Sequence, residues 1–308
     1  MTSLHEAEAA VFASDNLEPR VRKLQLQKTA STARVLETGA GEPVLLLHAI
    51  CLGSAHWSPV MSRVCGVRSM ALDMPGHGES DGADYTDIDL RRWHRTFMED
   101  CLDALDLDSV HFVGHSYGGM FALWLALDAP HRVRSVTLVG APSVAFGARP
   151  DATLRMLARQ GVGRAFLTLP SPLPVYRQVL AVSLGRPAIA AASPELLRAT
   201  YLGTRRIDFP LTVSSYLREQ FRGASAEPSR YVLGDEELAR VERPVLILWG
   251  DRDVRYQSIA QAQDRAALLP DARFEIVAGG HEPWLENPTP CAEIFSDFLL
   301  DHSGSRVM

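Results

Sequence analysis

Two kinds of apolar stretch alternate along the chain. Residues 43–49, 68–73, 109–113, 133–139, 244–250 and 273–277 are short apolar-rich runs, and they predict strands buried inside a sheet. Residues 87–107 instead carry Ile88, Leu90, Trp93, Phe97, Met98, Cys101, Leu102 and Leu105 at helical spacing. Helices are likewise predicted over 55–64, 120–127 and 288–300. Ahead of them, 21–27 and 32–38 alternate imperfectly and predict an opening antiparallel pair. Residues 1–18 read as a loosely held arm with a short helix around 4–12.

Such strand–helix alternation implies right-handed crossovers and a parallel sheet with helices on both faces. It stops at about residue 142. From there to about 238 only helical stripes occur, over 154–166, 175–184, 194–201 and 213–221, broken by prolines, and strands resume at 244. The predicted fold class is α/β, a mostly parallel doubly wound sheet. Its one discontinuous domain spans 19–142 and 239–302, with a helical insert at 143–238 and an N-terminal arm at 1–18.

Composition narrows the class of partner. The 308 residues are 46% hydrophobic and 22% charged, an ordinary globular balance. A net charge of −6 argues against nucleic acid and against an anionic membrane as partners. Residues 1–16 lack the basic start and apolar core of a signal peptide, and no apolar run reaches the roughly 20 residues that span a bilayer; a cytoplasmic location is expected. Cys51, Cys65, Cys101 and Cys291 are widely spaced, with no metal-ligand pattern.

The candidate chemistry starts at Gly114-His115-Ser116-Tyr117-Gly118-Gly119. A predicted strand runs into it and a predicted helix runs out. A strand that becomes a helix within about one residue turns sharply, so its apex side chain projects clear of the sheet edge. The glycines let the two arms approach. Ser116 is the apex, beside a helix N-terminus with free N–H groups.

A serine hydroxyl needs a base to take its proton and an acid to orient that base. After an elbow of this kind the order along the chain is acid, then base. Three histidines follow Ser116: His131, His281 and His302. His131 lies at the far end of the elbow helix, about 20 Å away at 1.5 Å per residue, and His302 is in the tail. His281, just past the predicted strand 273–277, reaches the same sheet edge as Ser116. Two carboxylates, Asp251 and Asp253, compete for the acid position after strand 244–250. The N–H of Tyr117, next after the serine, is one oxyanion donor; the N–H of Ile50 is preferred over that of Ala49 as the other. His48, His77 and His115 are read as ordering residues.

Together these residues resemble the α/β-hydrolase family. The resemblance rests on His48, on Asp-Met-Pro-Gly-His-Gly-Glu-Ser at 73–80, on the elbow at 114–119, on Trp-Gly-Asp-Arg-Asp at 249–253 and on Gly-His-Glu-Pro-Trp-Leu-Glu-Asn-Pro at 280–288. It implies that the acid is the second aspartate, Asp253, and that the insert at 143–238 is a cap over the site. Ser116 stands where epoxide hydrolases and haloalkane dehalogenases carry Asp. The family's usual His-Gly is His48-Ala49 here, and the added methyl narrows the backbone's freedom in the oxyanion loop. The resemblance implies a serine hydrolase acting on a carboxylic ester or lactone of a small, fairly apolar substrate, without cofactor or metal. A lyase or cyclase on a natural-product intermediate and a carbon–carbon bond hydrolase are the alternatives on this scaffold. A non-enzymatic binder fits a full set of three catalytic groups less well.

Overall fold

The computed structural model describes residues 2–147, 150, 152–169, 171–221, 231–253 and 258–303. Parts of the predicted insert (148–149, 151, 170 and 222–230), the stretch 254–257 and the first residue of the predicted arm thus lie outside the described residues. Eight strands form one sheet: β1 (Arg20–Leu26), β2 (Ser31–Gly39), β3 (Glu42–Leu47), β4 (Val67–Leu72), β5 (Val110–His115), β6 (Val133–Val139), β7 (Val245–Gly250) and β8 (Ala272–Val277). Their spatial order is β1-β2-β4-β3-β5-β6-β7-β8. β1 pairs antiparallel with β2, and β2 antiparallel with β4; every later pairing is parallel. The order reverses between β3 and β5, so a crevice opens beyond their carboxyl ends. Strands β5 and β7 are buried throughout, as continuous apolar runs require. Edge strand β8 is instead exposed at three of its six positions and buried only at Val277.

The helices are α1 (Leu4–Ser14), α2 (Ser58–Met61), α3 (Leu90–Ala104) and α4 (Tyr117–Asp128) before β6. Between β6 and β7 follow α5 (Ala152–Leu157), α6 (Val162–Thr168), α7 (Leu173–Leu184), α8 (Arg186–Ala191), α9 (Pro194–Gly203), α10 (Phe209–Gln220) and α11 (Asp235–Leu238), with no strand among the described residues. The chain ends with α12 (Ile259–Ala266), α13 (Pro283–Glu286) and α14 (Pro288–His302). Helix α4 is apolar all round and buried from Tyr117 to Leu127, as a helix wedged between sheet and outer layers must be. Helix α3 starts at Asp89, whose side chain accepts the Arg92 N–H, a standard N-cap. The single helix predicted over 154–166 is two, because Gly161 takes a left-handed conformation (φ 75°) between α5 and α6.

The N-terminal arm is not loosely held. Ser3 and Glu6 close a capping box at the start of α1, which packs against α9 and buries Ala7, Val11 and Phe12. The physical reason is electrostatic as well as apolar. Arg34 on β2 is only 1% exposed; its guanidinium bonds Glu8 of α1 through both Nη atoms at 2.7 Å and Asp73 through Nε. A buried guanidinium demands such partners. Burial pushes the Glu8 carboxyl up against the pull of Arg34. Burial acts the same way on Asp73, but there Arg34 and Ser54 win and hold it below the usual carboxylate range.

Five histidines are buried neutral. Burial is the main cause for each: His48 and His94 are lowered to about 3, His77 and His111 to about 4, and His115 well below its usual value. An unfolded histidine protonates near 6.5, so the unfolded state gains protons first on acidification. The stability these rings contribute is complete above about pH 6.5 and is lost as pH falls toward 4 and 3, at about 1.4 kcal/mol per unit for each ring. The raised Glu8 carboxyl opposes this as one group against five. The thermal midpoint followed by circular dichroism is therefore expected to be flat from pH 8 to about 6.5 and to fall steeply below it. A midpoint unchanged down to pH 4.5 would contradict neutral burial.

Candidate active site

Strand β5 ends at His115 and α4 begins at Tyr117, leaving Ser116 alone at the turn with φ 49° and ψ −104°. A left-handed non-glycine residue costs about 1–3 kcal/mol. The surroundings enforce it. Ser116 N–H donates to Val139 O at 3.1 Å, tying the turn to β6. A Cβ on Gly114 would lie 2.5 Å from the Gly119 Cα, and one on Gly118 would lie 2.3 Å from Leu47 O. Strand and helix could not close on each other with any larger residue there.

Ser116 is half-buried and lines a cavity of about 250 Å³ together with Ile50, Tyr117 and His281. Its other walls are largely apolar and come from α5, α6, α7 and α10, including Leu154, Leu157, Phe166, Leu180 and Leu217. Arg205 is the one Lys or Arg among the described lining residues. Its Nε is buried without a hydrogen-bond partner.

The two later sequence-predicted residues arrive from neighbouring strands. Asp253 follows β7 and His281 follows β8. His281 Nδ1 lies 2.8 Å from Asp253 Oδ2, and the two side chains are 4% and 0% exposed. Asp251, the competing carboxylate, points elsewhere: it accepts the Gly279 N–H at 2.9 Å and pairs with Arg252. Gly140, at the end of β6 with φ 66°, leaves the imidazole its place, since a Cβ there would approach His281 Nδ1 to 3.0 Å.

Histidines order the loop that carries Ile50. His48 Nδ1–H donates to Ala49 O at 2.8 Å, and its Nε2 accepts the Met74 N–H at 3.0 Å. His77 Nδ1–H donates to Pro75 O, and its Nε2 accepts the Cys51 N–H at 3.0 Å. Both patterns need a neutral ring, in keeping with the lowered values above. The Cys51 N–H is thereby occupied, whereas those of Ile50 and Tyr117 have no protein acceptor among the described residues.

The loop bearing His281 is held by His115, read above as an ordering residue, and by groups that sequence reasoning missed. His115 Nε2–H donates to His281 O at 2.8 Å, linking the residue before the serine to the backbone of the imidazole. The neighbouring Glu282 is fully buried and faces His56 Nδ1 at 2.7 Å, while His56 Nε2 lies 2.7 Å from Thr200 Oγ1 on α9. Thr200 Oγ1–H donates in turn to Leu196 O at 2.7 Å. The His56–Glu282 contact is thereby enclosed, with side chains 3% and 0% exposed. Trp284 Nε1–H donates to His56 O at 2.8 Å, and its ring stacks on Trp57 at 4.4 Å. The sole local signal for this cluster is that Glu282 directly follows His281. Its partners are 226 and 144 residues apart in sequence.

Among the described residues no group of three His, Cys, Asp or Glu side chains could hold a metal ion, and no helix is long and apolar enough to cross a membrane.

Comparison with known proteins adds the following. A family model described as alpha/beta hydrolase fold matches residues 42–288. Over 270 residues the chain is 28% identical to an uncharacterized protein of Mycobacterium tuberculosis, covering 85% of this chain and 76% of that one. Over 283 residues it is 29% identical to a 2-hydroxy-6-oxononadienedioate/2-hydroxy-6-oxononatrienedioate hydrolase of Paraburkholderia phymatum, covering 87% and 89%. Among solved structures, the carboxylesterase CesB of Bacillus subtilis shares the fold with a TM-score of 0.70 at 21% identity, over 98% of each chain.

Removing Glu282 should leave the buried His56 Nδ1 without a partner. Glu282→Ala and the volume-conserving Thr200→Val are each expected to lower the unfolding free energy by about 1–3 kcal/mol. Urea denaturation followed by tryptophan fluorescence measures both. A wild-type midpoint for Glu282→Ala would rule out the His56–Glu282 contact as a support of this loop.

Proposed function

Because the chain belongs to the α/β-hydrolase fold family, we propose that it is a serine hydrolase that opens a carboxylic ester or lactone of a small, largely apolar substrate. The observation that carries this reading is the 2.8 Å contact between His281 Nδ1 and the buried Asp253, beside a cavity that Ser116 also lines. A carboxylate on Nδ1 fixes the tautomer and leaves Nε2 with its lone pair free to take a proton. Ser116 Oγ attacks the carbonyl carbon while His281 Nε2 accepts its proton, and Asp253 stabilises the imidazolium that forms. The carbonyl oxygen becomes an oxyanion held by the N–H groups of Tyr117 and Ile50, each worth about 10²–10³ in rate. His281 then returns the proton to the departing alkoxide. A water molecule, activated by the same ring, hydrolyses the acyl-enzyme and frees Ser116.

The segment 143–238 acts as a cap in this reading. Its apolar side chains form most of the cavity's outer wall, so closing over substrate excludes water and strengthens each hydrogen bond to the oxyanion.

One observation favours a second reading, hydrolysis of a carbon–carbon bond in a carboxylate-bearing substrate. Arg205 brings a cation to the cavity with an unpartnered buried Nε, and an Arg fork matches a carboxylate. The Paraburkholderia phymatum relative is named for a dioate substrate.

Turnover of a p-nitrophenyl ester tests the first reading. Ser116→Ala and His281→Ala are each expected to cut kcat by at least about 10³-fold, with the double variant no worse than either, and a fluorophosphonate should label Ser116 of the wild type. Full activity in either variant would refute the assignment. Arg205→Gln separates the two substrate classes. It is expected to raise KM about tenfold or more for a carboxylate-bearing substrate and to leave a neutral ester unaffected; equal effects on both would remove Arg205 from substrate recognition.

A further inference from the structure

Charge is unevenly distributed along this chain. Residues 152–194 contain no Asp or Glu and five Arg, although the whole chain has 37 acidic residues in 308 and a net charge of −6. At that average, a stretch of this length would hold about five acids. Among the described residues the same stretch holds six of the ten exposed large apolar side chains: Val162, Phe166, Leu169, Leu173, Val175 and Val182. Helix α7 shows how. It buries Tyr176, Leu180 and Leu184 at four-residue intervals and turns Val175 and Val182, seven apart, to solvent at 51% and 65% exposure. Arg177 and Arg186 flank a surface groove between α7 and α8. With Arg155 and Arg159 they are exposed and have no carboxylate partner among the described residues.

We propose that this outer face of the helical segment docks on an anionic lipid surface. Exposed aliphatic side chains interleaved with arginines are what an interfacial segment needs: the apolar groups enter the headgroup–acyl boundary and the guanidinium groups meet lipid phosphates. The chain's overall negative charge predicts no membrane contact, but beyond a Debye length of about 8–10 Å the rest of the protein is screened from the surface. Charge complementarity selects this occupant over the others. A second copy would set two cationic faces against each other, and a nucleic acid would leave the six apolar side chains in water. The face is also continuous with the cavity, because Phe166, Leu169 and Val175 line both. Docking would thus present the cavity mouth to the lipid. Such docking does not depend on which bond the site cleaves.

Vesicle flotation tests it. At about 0.1 M salt the full chain is expected to float with phosphatidylcholine vesicles containing about 30% phosphatidylglycerol, to stay behind with phosphatidylcholine alone, and to be released by about 1 M salt. Arg177→Ala combined with Arg186→Ala should weaken partitioning roughly thirtyfold, at about fivefold per arginine. Leu173→Ser combined with Val182→Ser should weaken it on the same vesicles. All four residues lie outside the cavity lining, so circular dichroism and turnover of a soluble ester are expected to match the wild type. Absence of binding to anionic vesicles at about 0.1 M salt, or equal binding to neutral ones, would overturn the proposal. So would light scattering showing a stable dimer that Leu173→Ser and Val182→Ser dissociate, since the face would then belong to a second copy. Loss of ester turnover in Ser116→Ala without loss of flotation keeps this proposal separate from the hydrolase reading.

Discussion

The rest of the site depends on one backbone residue being held where the chain would not go by itself. Ser116 is left-handed between a strand and a helix that are each buried on every side. Three contacts make that conformation the cheapest one available: its N–H on Val139 O, the near-touching Gly114 and Gly119, and Gly118 against Leu47. Relaxing the turn would pull α4 off the sheet and uncover a helix with no polar face. About 1–3 kcal/mol of local strain is small against the burial of Phe121, Leu123, Trp124 and Leu125.

Electrostatic arrangements around the crevice divide by task. Rings that accept a backbone N–H are neutral: His48 and His77 shape the loop of Ile50 because their Nε2 atoms carry no proton. The His56 ring is engaged at both nitrogens, by Glu282 and Thr200, and ties α9 to the loop after His281. His281 has the third arrangement, with one nitrogen on a carboxylate and the other uncommitted by any hydrogen bond among the described residues. That asymmetry sets His281 apart from the rings whose two nitrogens are both taken up in holding loops.

Much of this was legible from local pattern. Buried parallel strands announce themselves as apolar runs, the elbow by glycines flanking Ser116 between a strand and a helix, and His281 by its place in chain order. What stayed hidden depends on contacts far apart in sequence. Nothing near Glu8 says that its partner is Arg34, so α1 read as a loose arm. His56, Thr200 and Glu282 carry no shared spacing, and Arg205 is one arginine among several on the helical segment until its Nε is found enclosed. The break between α5 and α6 was missed for a different reason, since a single Gly161 within an apolar stripe is also tolerated inside helices.

The docking of α1 has a consequence for how the protein is made. This helix is synthesised before its surroundings: Arg34, itself tied to Asp73, supplies its charge partner, and α9, against which it packs, begins only at Pro194. Until then Glu8 has water as its partner and Ala7, Val11 and Phe12 have no wall to cover them. Helix α1 is thus obliged to wait, and it is covered only after α9 has been translated.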